Sequence, residues 1–245
     1  PLYGPLADAH GRRPPLIAGL VLFIVAGIGC VFAPDIETLI ALRFVQGFGI
    51  CASAVIVRAI IRDLYTGARA AQLLALTFLL LGISPLIAPL AGTFFLAVFS
   101  WQSIFWVFAF IGALGLALVW FLLPETLPPE RRDRRSLLHA FSGYGGLLLD
   151  RRFMALTLVT GLVQTVLFSF VVGSAFFFMG VYGLEPWLYS LLFASCAVVG
   201  IGLAQFSAPA MRGLGAERLI VIACAACAGG ATSLLVLTLL GLAPL

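Results

Sequence analysis

An all-α membrane protein is the fold class this sequence predicts, with seven complete membrane-crossing helices preceded by the end of one more. Three observations predict it. Of the 245 residues 62% are hydrophobic and only 10% charged, with a mean hydropathy of +1.16, far more apolar surface than a soluble monomer can cover. Leu16–Ala33 is a run of 18 residues without Asp, Glu, Lys, Arg or His. Such a run is long enough to cross a hydrocarbon layer of roughly 30 Å as a helix. The chain has 14 Arg and no Lys, and 12 of those Arg fall in alternate loops.

Each element follows from the charge map. Pro1–Leu6 is the stub of a helix, and Gly4-Pro-Leu-Ala-Asp8-Ala-His-Gly11-Arg-Arg-Pro-Pro-Leu16 is a tight turn leading into Leu16–Ala33. Gly4 and Gly11 allow close backbone approach, Pro14 or Pro15 suits a first helical turn, and Asp8 can accept hydrogen bonds from a helix start. Leu39–Val57 is the next span, interrupted only by Arg43. Ala70–Pro124 carries no charge over 55 residues, too long for one crossing, and divides near Ser100-Trp101-Gln102. Pro124–Arg152 is a linker: Leu-Pro-Glu-Thr-Leu-Pro-Pro-Glu opens it, a basic cluster follows, and Leu137–Leu149 could lie along an interface as an amphipathic segment. Phe153–Leu184, Pro186–Met211 and Leu219–Leu245 complete the set. Residues 1–123 and 153–245 are thus expected to be parts of two helical bundles joined by a cytoplasmic linker at 124–152.

The loops Pro34–Thr38, Ser100–Gln102 and Tyr182–Pro186 contain no Arg, only Asp35, Glu37 and Glu185. Arg12, Arg13, Arg62, Arg69, Arg131, Arg132, Arg134, Arg135, Arg151, Arg152, Arg212 and Arg218 all fall on the opposite side, which the positive-inside rule makes cytoplasmic. The pI near 9.1 is therefore a topology signal and not a mark of nucleic-acid binding. No stretch reads as a cleavable signal peptide. Pro1 is no initiator, and the chain is expected to be a fragment. A two-half build is echoed by Ala208-Pro209-x-x-Arg212-x-x-Gly215, which follows the pattern Gly4-Pro5-x-x-Asp8-x-x-Gly11 at a distance of 204 residues.

Two stretches inside the spans carry candidate chemistry. In Leu39-x-x-x-Arg43-x-x-Gln46-Gly47-x-Gly49, Arg43 lies about 7 Å inside the outer boundary at 1.5 Å per residue. Gln46 and Gly47 share its helix face. An Arg near mid-membrane costs roughly 2.5–3.5 kcal/mol on insertion scales, so it either faces a cavity or partner or snorkels to the surface. The adjacent amide and small residues favour the cavity, while Arg58 reads as a snorkelling anchor. The second stretch is Gly82-Ile-Ser-Pro85-Leu-Ile-Ala88-Pro89-Leu-Ala-Gly92-Thr93, where two prolines bend a helix and Ala88 and Gly92 admit a neighbour. Further on, Gln164, Ser169 and Ser174 are cavity-lining candidates because polar groups avoid lipid; Phe168, Phe170 and Phe176–Phe178 could line a cavity or face lipid.

Other local matches carry no function. Gly47-x-Gly49-x-x-Ala52 has no preceding strand, so no dinucleotide cofactor is expected. Cys224-x-x-Cys227 reads as a pair of small packing residues, and Cys30, Cys51 and Cys196 likewise. His10 and His139 lack ligand spacing, so no metal is expected. Without Lys there is no P-loop.

The turn at Gly4–Arg13 resembles the loop between the second and third helices of major facilitator superfamily transporters. The stretch around Arg43 resembles that superfamily's fourth-helix motif, and Pro85, Ala88, Pro89 and Gly92 a form of its antiporter motif with Ala88 in place of Gly. With Tyr3-Gly4-Pro5-Leu6, Arg58-x-x-x-Arg62-Asp63 and the Leu-Pro-Glu-Thr-Leu opening of the linker, the chain most resembles the Bcr/CflA drug/proton antiporters of bacteria. It departs from the pattern at Ala9 and Ala88. The resemblance implies a partial major facilitator fold. Residues 1–123 would run from the end of helix 2 to helix 6, and 153–245 would be helices 7 to 9. It also implies a non-enzymatic exporter in the bacterial inner membrane, with a small-molecule substrate, protons and lipid as partners and no obligatory protein partner. Gly4, Asp8, Gly11, Arg12 and Arg13 would gate it; Arg43, Gln46 and Gly47 would lie on the proton or substrate path. The coupling acids are expected in the first helix, outside this sequence. Rival readings are a proton-coupled uptake carrier for sugars or metabolites, a seven-helix receptor and an inactive truncation.

Overall fold

Aspartate, proline and glycine punctuate the chain wherever it passes from charged to apolar. A computed structural model describes residues 2–132 and 145–240, with side chains described except at 85–86, 203–212, 214, 216–217 and 234. Most of the expected segment Leu137–Leu149, with Arg134, Arg135 and His139, lies outside the described residues.

The stub is α1 (Tyr3–His10), and α2 (Arg13–Val31) follows with Pro14 in its first turn. Asp35 is extended and its Oδ1 accepts the Thr38 N–H at 2.7 Å, starting α3 (Ile36–Leu64). That N–H, with the Thr38 side chain, holds the Asp35 carboxyl below its ordinary pKa. Next come α4 (Gly67–Val98) and α5 (Gln102–Leu122), divided at the expected Ser100-Trp101-Gln102 break. Asp150 Oδ1 accepts the N–H groups of Arg152 and Phe153 at the head of α6 (Arg151–Ala175), which runs on as a π-helical segment, Phe176–Val181. Then come α7 (Pro186–Leu214) and α8 (Ala216–Leu239).

The helices α2 to α8 stand where seven spans are expected. Among the described residues six stretches are long and apolar enough to cross a membrane, and α7 contributes the shorter apolar stretch Pro186–Gly202. The described residues contain no strand. Phe44, Phe121 and Val172 are at least 77% exposed, which suits helices bathed in lipid. The echo between the two Arg-bearing loops extends to backbone: Gly11 (φ 96°, ψ 167°) and Gly215 (φ 79°, ψ 154°) share a conformation that favours glycine.

The chain divides into two compact units, residues 1–80 with 91–167, and 81–90 with 168–245. In the first, α2 packs between α3 and α5. Small residues make that possible. A Cβ at Gly49 would lie 2.7 Å from both Gly19 O and Phe23 N, and one at Gly112 2.9 Å from Ile24 and Phe23 side-chain atoms. Leu16, Leu20, Ala52, Ile56 and Ile60 with Tyr3 and Ala7 fill the core at one end. In the second unit, Phe170 and Phe193 stack at 5.6 Å, and Ser174 Oγ and Tyr189 Oη share a buried hydrogen bond of 3.0 Å.

Candidate functional site

The turn between α1 and α2 gathers its charges around Arg12. Its Nη1 meets Asp8 Oδ1 at 2.5 Å, one helical turn back, and its Nε meets Asp63 Oδ2 at 2.8 Å near the end of α3. The Arg12 side chain is only 11% exposed. Burial pulls its pKa down, but hydrogen bonds and charge from Asp63 and Asp8 outweigh that and raise it. One guanidinium thus ties α1, α2 and α3 together with two charge-assisted bonds. Beside it opens a cavity of about 450 Å3 lined by Asp8, Arg12, Arg58, Arg62 and Asp63 among others.

The start of α2 is not capped by Asp8, as the sequence suggested, because Asp8 is occupied by the Arg12 side chain. Glu125, beyond the end of α5, does it instead. Its Oε1 accepts the N–H of Arg12 at 2.8 Å and its Oε2 that of Arg13 at 3.2 Å. Oε1 also accepts the Leu127 N–H at 3.0 Å. Partial burial pushes the Glu125 pKa up, but these three N–H groups and the nearby Arg132 win, and it is lowered. Gly11 abuts that carboxylate, and a Cβ on it would collide with Glu125. Gly4, in contrast, has open space within 4 Å of where a Cβ would sit, so the close approach expected there is absent among the described residues. Arg13 lies over the Trp120 ring at 5.9 Å and donates to the Trp120 carbonyl.

Deeper in the same unit, α3 presents Arg43. Arg43 Nη1 donates to Gln46 Oε1 at 2.7 Å, and the guanidinium lies over the rings of Phe105 and Phe108 at 5.7 and 5.9 Å. Cation–π contacts of this kind are worth about 0.5–2 kcal/mol each depending on desolvation. No carboxylate pairs with it among the described residues. Gln46 is 1% exposed, and its Nε2 is buried without a partner near Gly27, where a Cβ would lie only 2.7 Å away. A cavity of about 250 Å3 is lined by Phe23, Arg43, Gln46, Gly47, Ile50 and Phe108. The sequence grouped Arg43, Gln46 and Gly47; it gave no sign of the rings from α5 or of Gly27.

The remaining candidates are dispersed. α4 runs helical through Pro85 and Pro89, Ala88 is exposed, and a Cβ at Gly92 would meet nothing within 4 Å. The approach to this stretch is instead at Pro89, whose carbonyl accepts from Ser190 Oγ at 3.3 Å. Gln164 and Ser169 are exposed, while Ser174 is buried against Tyr189. Among the described residues no cluster of three or more His, Cys, Asp or Glu could hold a metal ion.

Comparison with known proteins places the chain in a family. A profile described as Major Facilitator Superfamily matches residues 1–245. An "Uncharacterized MFS-type transporter YdgK" of Bacillus subtilis (strain 168) is 37% identical over 194 residues, 78% of this chain and 48% of that protein. The "Multidrug transporter MdfA" of Yersinia pestis bv. Antiqua (strain Angola) is 31% identical over 210 residues, 84% of this chain and 51% of that protein. The "Multidrug resistance protein MdtL" of Shigella dysenteriae serotype 1 is 34% identical over 221 residues, 89% of this chain and 55% of that protein. The chain spans about half the length of these relatives. A profile match along its whole length, helices where the spans are expected and an intramembrane arginine beside a cavity agree: the chain belongs to the major facilitator superfamily.

Proposed function

We propose that this chain is part of a drug/proton antiporter of the Bcr/CflA type, which exports small amphipathic compounds across a bacterial inner membrane by alternating access. The observation that carries it is Arg43: a cation inside a span, held beside a cavity by an amide and two ring faces, with no bonded carboxylate among the described residues. A guanidinium there lowers the pKa of any carboxylate that approaches it and promotes proton release, while the aromatic wall suits apolar ring compounds. The multidrug names of two relatives support the substrate class.

In this reading residues 1–123 belong to one bundle, 124–152 to a linker and 153–245 to the other, with the Arg-rich loops cytoplasmic. Arg43, Gln46 and Gly47 line the proton or substrate path. Gly4, Asp8, Gly11, Arg12 and Arg13 control the switch between states. Pro85 and Pro89 remove two N–H donors from α4, Ala88 and Gly92 leave room for a neighbouring helix of the assembled carrier, and the exposed Gln164 and Ser169 face its central cavity, while Ser174 is held against Tyr189. No chemistry is done on the substrate.

Expression from its own gene in a drug-hypersensitive bacterium tests this. Resistance to neutral and cationic aromatic drugs should appear and vanish when a protonophore collapses the gradient. Substrate accumulation in place of resistance would establish the uptake reading, and resistance that survives the protonophore would remove the proton.

A further inference from the structure

The chain just beyond α5 delivers one carboxylate to three backbone N–H groups: those of Arg12 and Arg13 at the head of α2, and that of Leu127 in the linker. Arg12 is also the residue whose side chain joins Asp8 of α1 to Asp63 of α3. The position of its guanidinium therefore depends on a backbone held by Glu125. Gly11 leaves no slack, since a Cβ there would strike the Glu125 carboxylate and lie 3.1 Å from Arg132 Nη2. Arg132 Nε closes the linker turn by donating to Leu127 O at 3.3 Å, and Leu127 is 7% exposed.

We infer that Glu125 is a positioning residue: it seats Arg12 between Asp8 and Asp63 and ties the linker's first turn to that network, so that the two release together. It touches no substrate. A helix head has several N–H groups without partners, and the first of them here point at a carboxylate supplied from another part of the chain. Residues 126–132 can leave only if those bonds are given up or the start of α2 moves with them. The transport half of the test rests on the antiporter reading; the structural half does not.

The structural half uses the purified protein carrying Leu127→Cys, with the five native cysteines replaced by alanine. Glu125→Gln and Glu125→Ala should each raise the rate of maleimide alkylation at position 127 by about fivefold or more, as the turn opens locally. Glu125→Gln keeps size and removes charge, so it reports even if the alanine variant folds poorly. In transport, Glu125→Ala and Arg12→Ala should each slow efflux, and the double variant should be no slower than Arg12→Ala alone. Equilibrium drug binding should stay within about threefold of the parent. Alkylation unchanged in both Glu125 variants, or a full additional loss of efflux when Glu125→Ala is added to Arg12→Ala, overturns the assignment. If the parent moves no drug, the antiporter reading falls while the alkylation rates still decide the role of Glu125.

Discussion

Arg12 and Arg43 sit in one packed unit and are held in opposite ways. Arg12 has two carboxylates on its guanidinium and a third on its backbone N–H, so its charge is answered completely by the folded chain. Arg43 has one amide oxygen and two aromatic faces, which orient a guanidinium but do not neutralise it. A neutralised cation is a joint that holds helices together. A cation left with its charge in a low-dielectric setting is a receptor for whatever anion or dipole arrives, and its field there reaches further than it would in water. On the antiporter reading proposed above, damage to the two arginines should differ in kind: loss of Arg12 should alter the change of state, and loss of Arg43 the proton or substrate step.

The largest effect is therefore expected at Arg43. Arg43→Ala should lower proton-driven efflux by about a hundredfold while the protein still reaches the membrane, and Arg43→Lys should recover part of it by keeping the charge. Normal transport with an unchanged pH profile would reduce Arg43 to a snorkelling side chain and erase the comparison. Asp8→Asn removes one of the two charges on Arg12 but leaves Asp63, so efflux should fall by about tenfold with equilibrium binding within about threefold. An equal loss of binding would place the turn in the substrate path after all.

Much of this was legible in the sequence because a membrane permits few solutions. Uncharged runs mark the spans, and α4 and α5 divide at the very tripeptide where polar residues interrupt the Ala70–Pro124 run. Local spacing also brought Arg43 to Gln46, three residues on, whereas Asp8 was read as a partner of the helix start and is found on the Arg12 side chain. Long-range partners were invisible. Nothing in a single sequence tells the N–H groups at the head of α2 that their acceptor is Glu125, 113 residues beyond Arg12. Gly4 and Gly11 looked equivalent because both can approach a neighbour; only packing shows that Gly11 does. Gly19, which with Gly49 brings α2 and α3 into backbone contact, carries no charge or motif to betray it, and the motif around Arg43 that includes Gly49 does not say what Gly49 packs against.

That crossing offers a smaller effect that separates support from function on a single helix. A Cβ at Gly49 would meet backbone atoms at 2.7 Å, so α2 and α3 must part. Overpacking of this kind costs about 1–3 kcal/mol. Gly49→Ala should lower the thermal midpoint in detergent by about 5 °C. Gly47, two residues earlier, has nothing within 4 Å of its Cβ direction and lines the Arg43 cavity. Gly47→Ala should leave the midpoint alone and change drug affinity or selectivity. If Gly47→Ala unfolds the protein and Gly49→Ala does not, the packing described for α2 and α3 is wrong.

The smallest effect tests the completed charge of the turn through pH. Glu125 is lowered from its ordinary value of 4.5, its partial burial being outweighed by three N–H donors and Arg132. A carboxylate with a depressed folded-state pKa adds stability that is fully present above its unfolded value and is lost as pH falls through the folded one. Arg12 stays charged throughout, since Asp63 and Asp8 raise an already high pKa. Asp35 is also lowered, but it is unchanged between the parent and a Glu125 variant and drops out of their difference. The parent should therefore exceed Glu125→Gln in thermal midpoint by about 2 °C from neutral pH down to about 5, and the gap should narrow below the ordinary value of 4.5 and close as pH falls through the lower folded-state value. The group is partly open to solvent, so screening keeps the effect small and added salt should shrink it further. A gap that persists unchanged to pH 3.5 or below would mean that the side chain's shape, and not its charge, holds the head of α2.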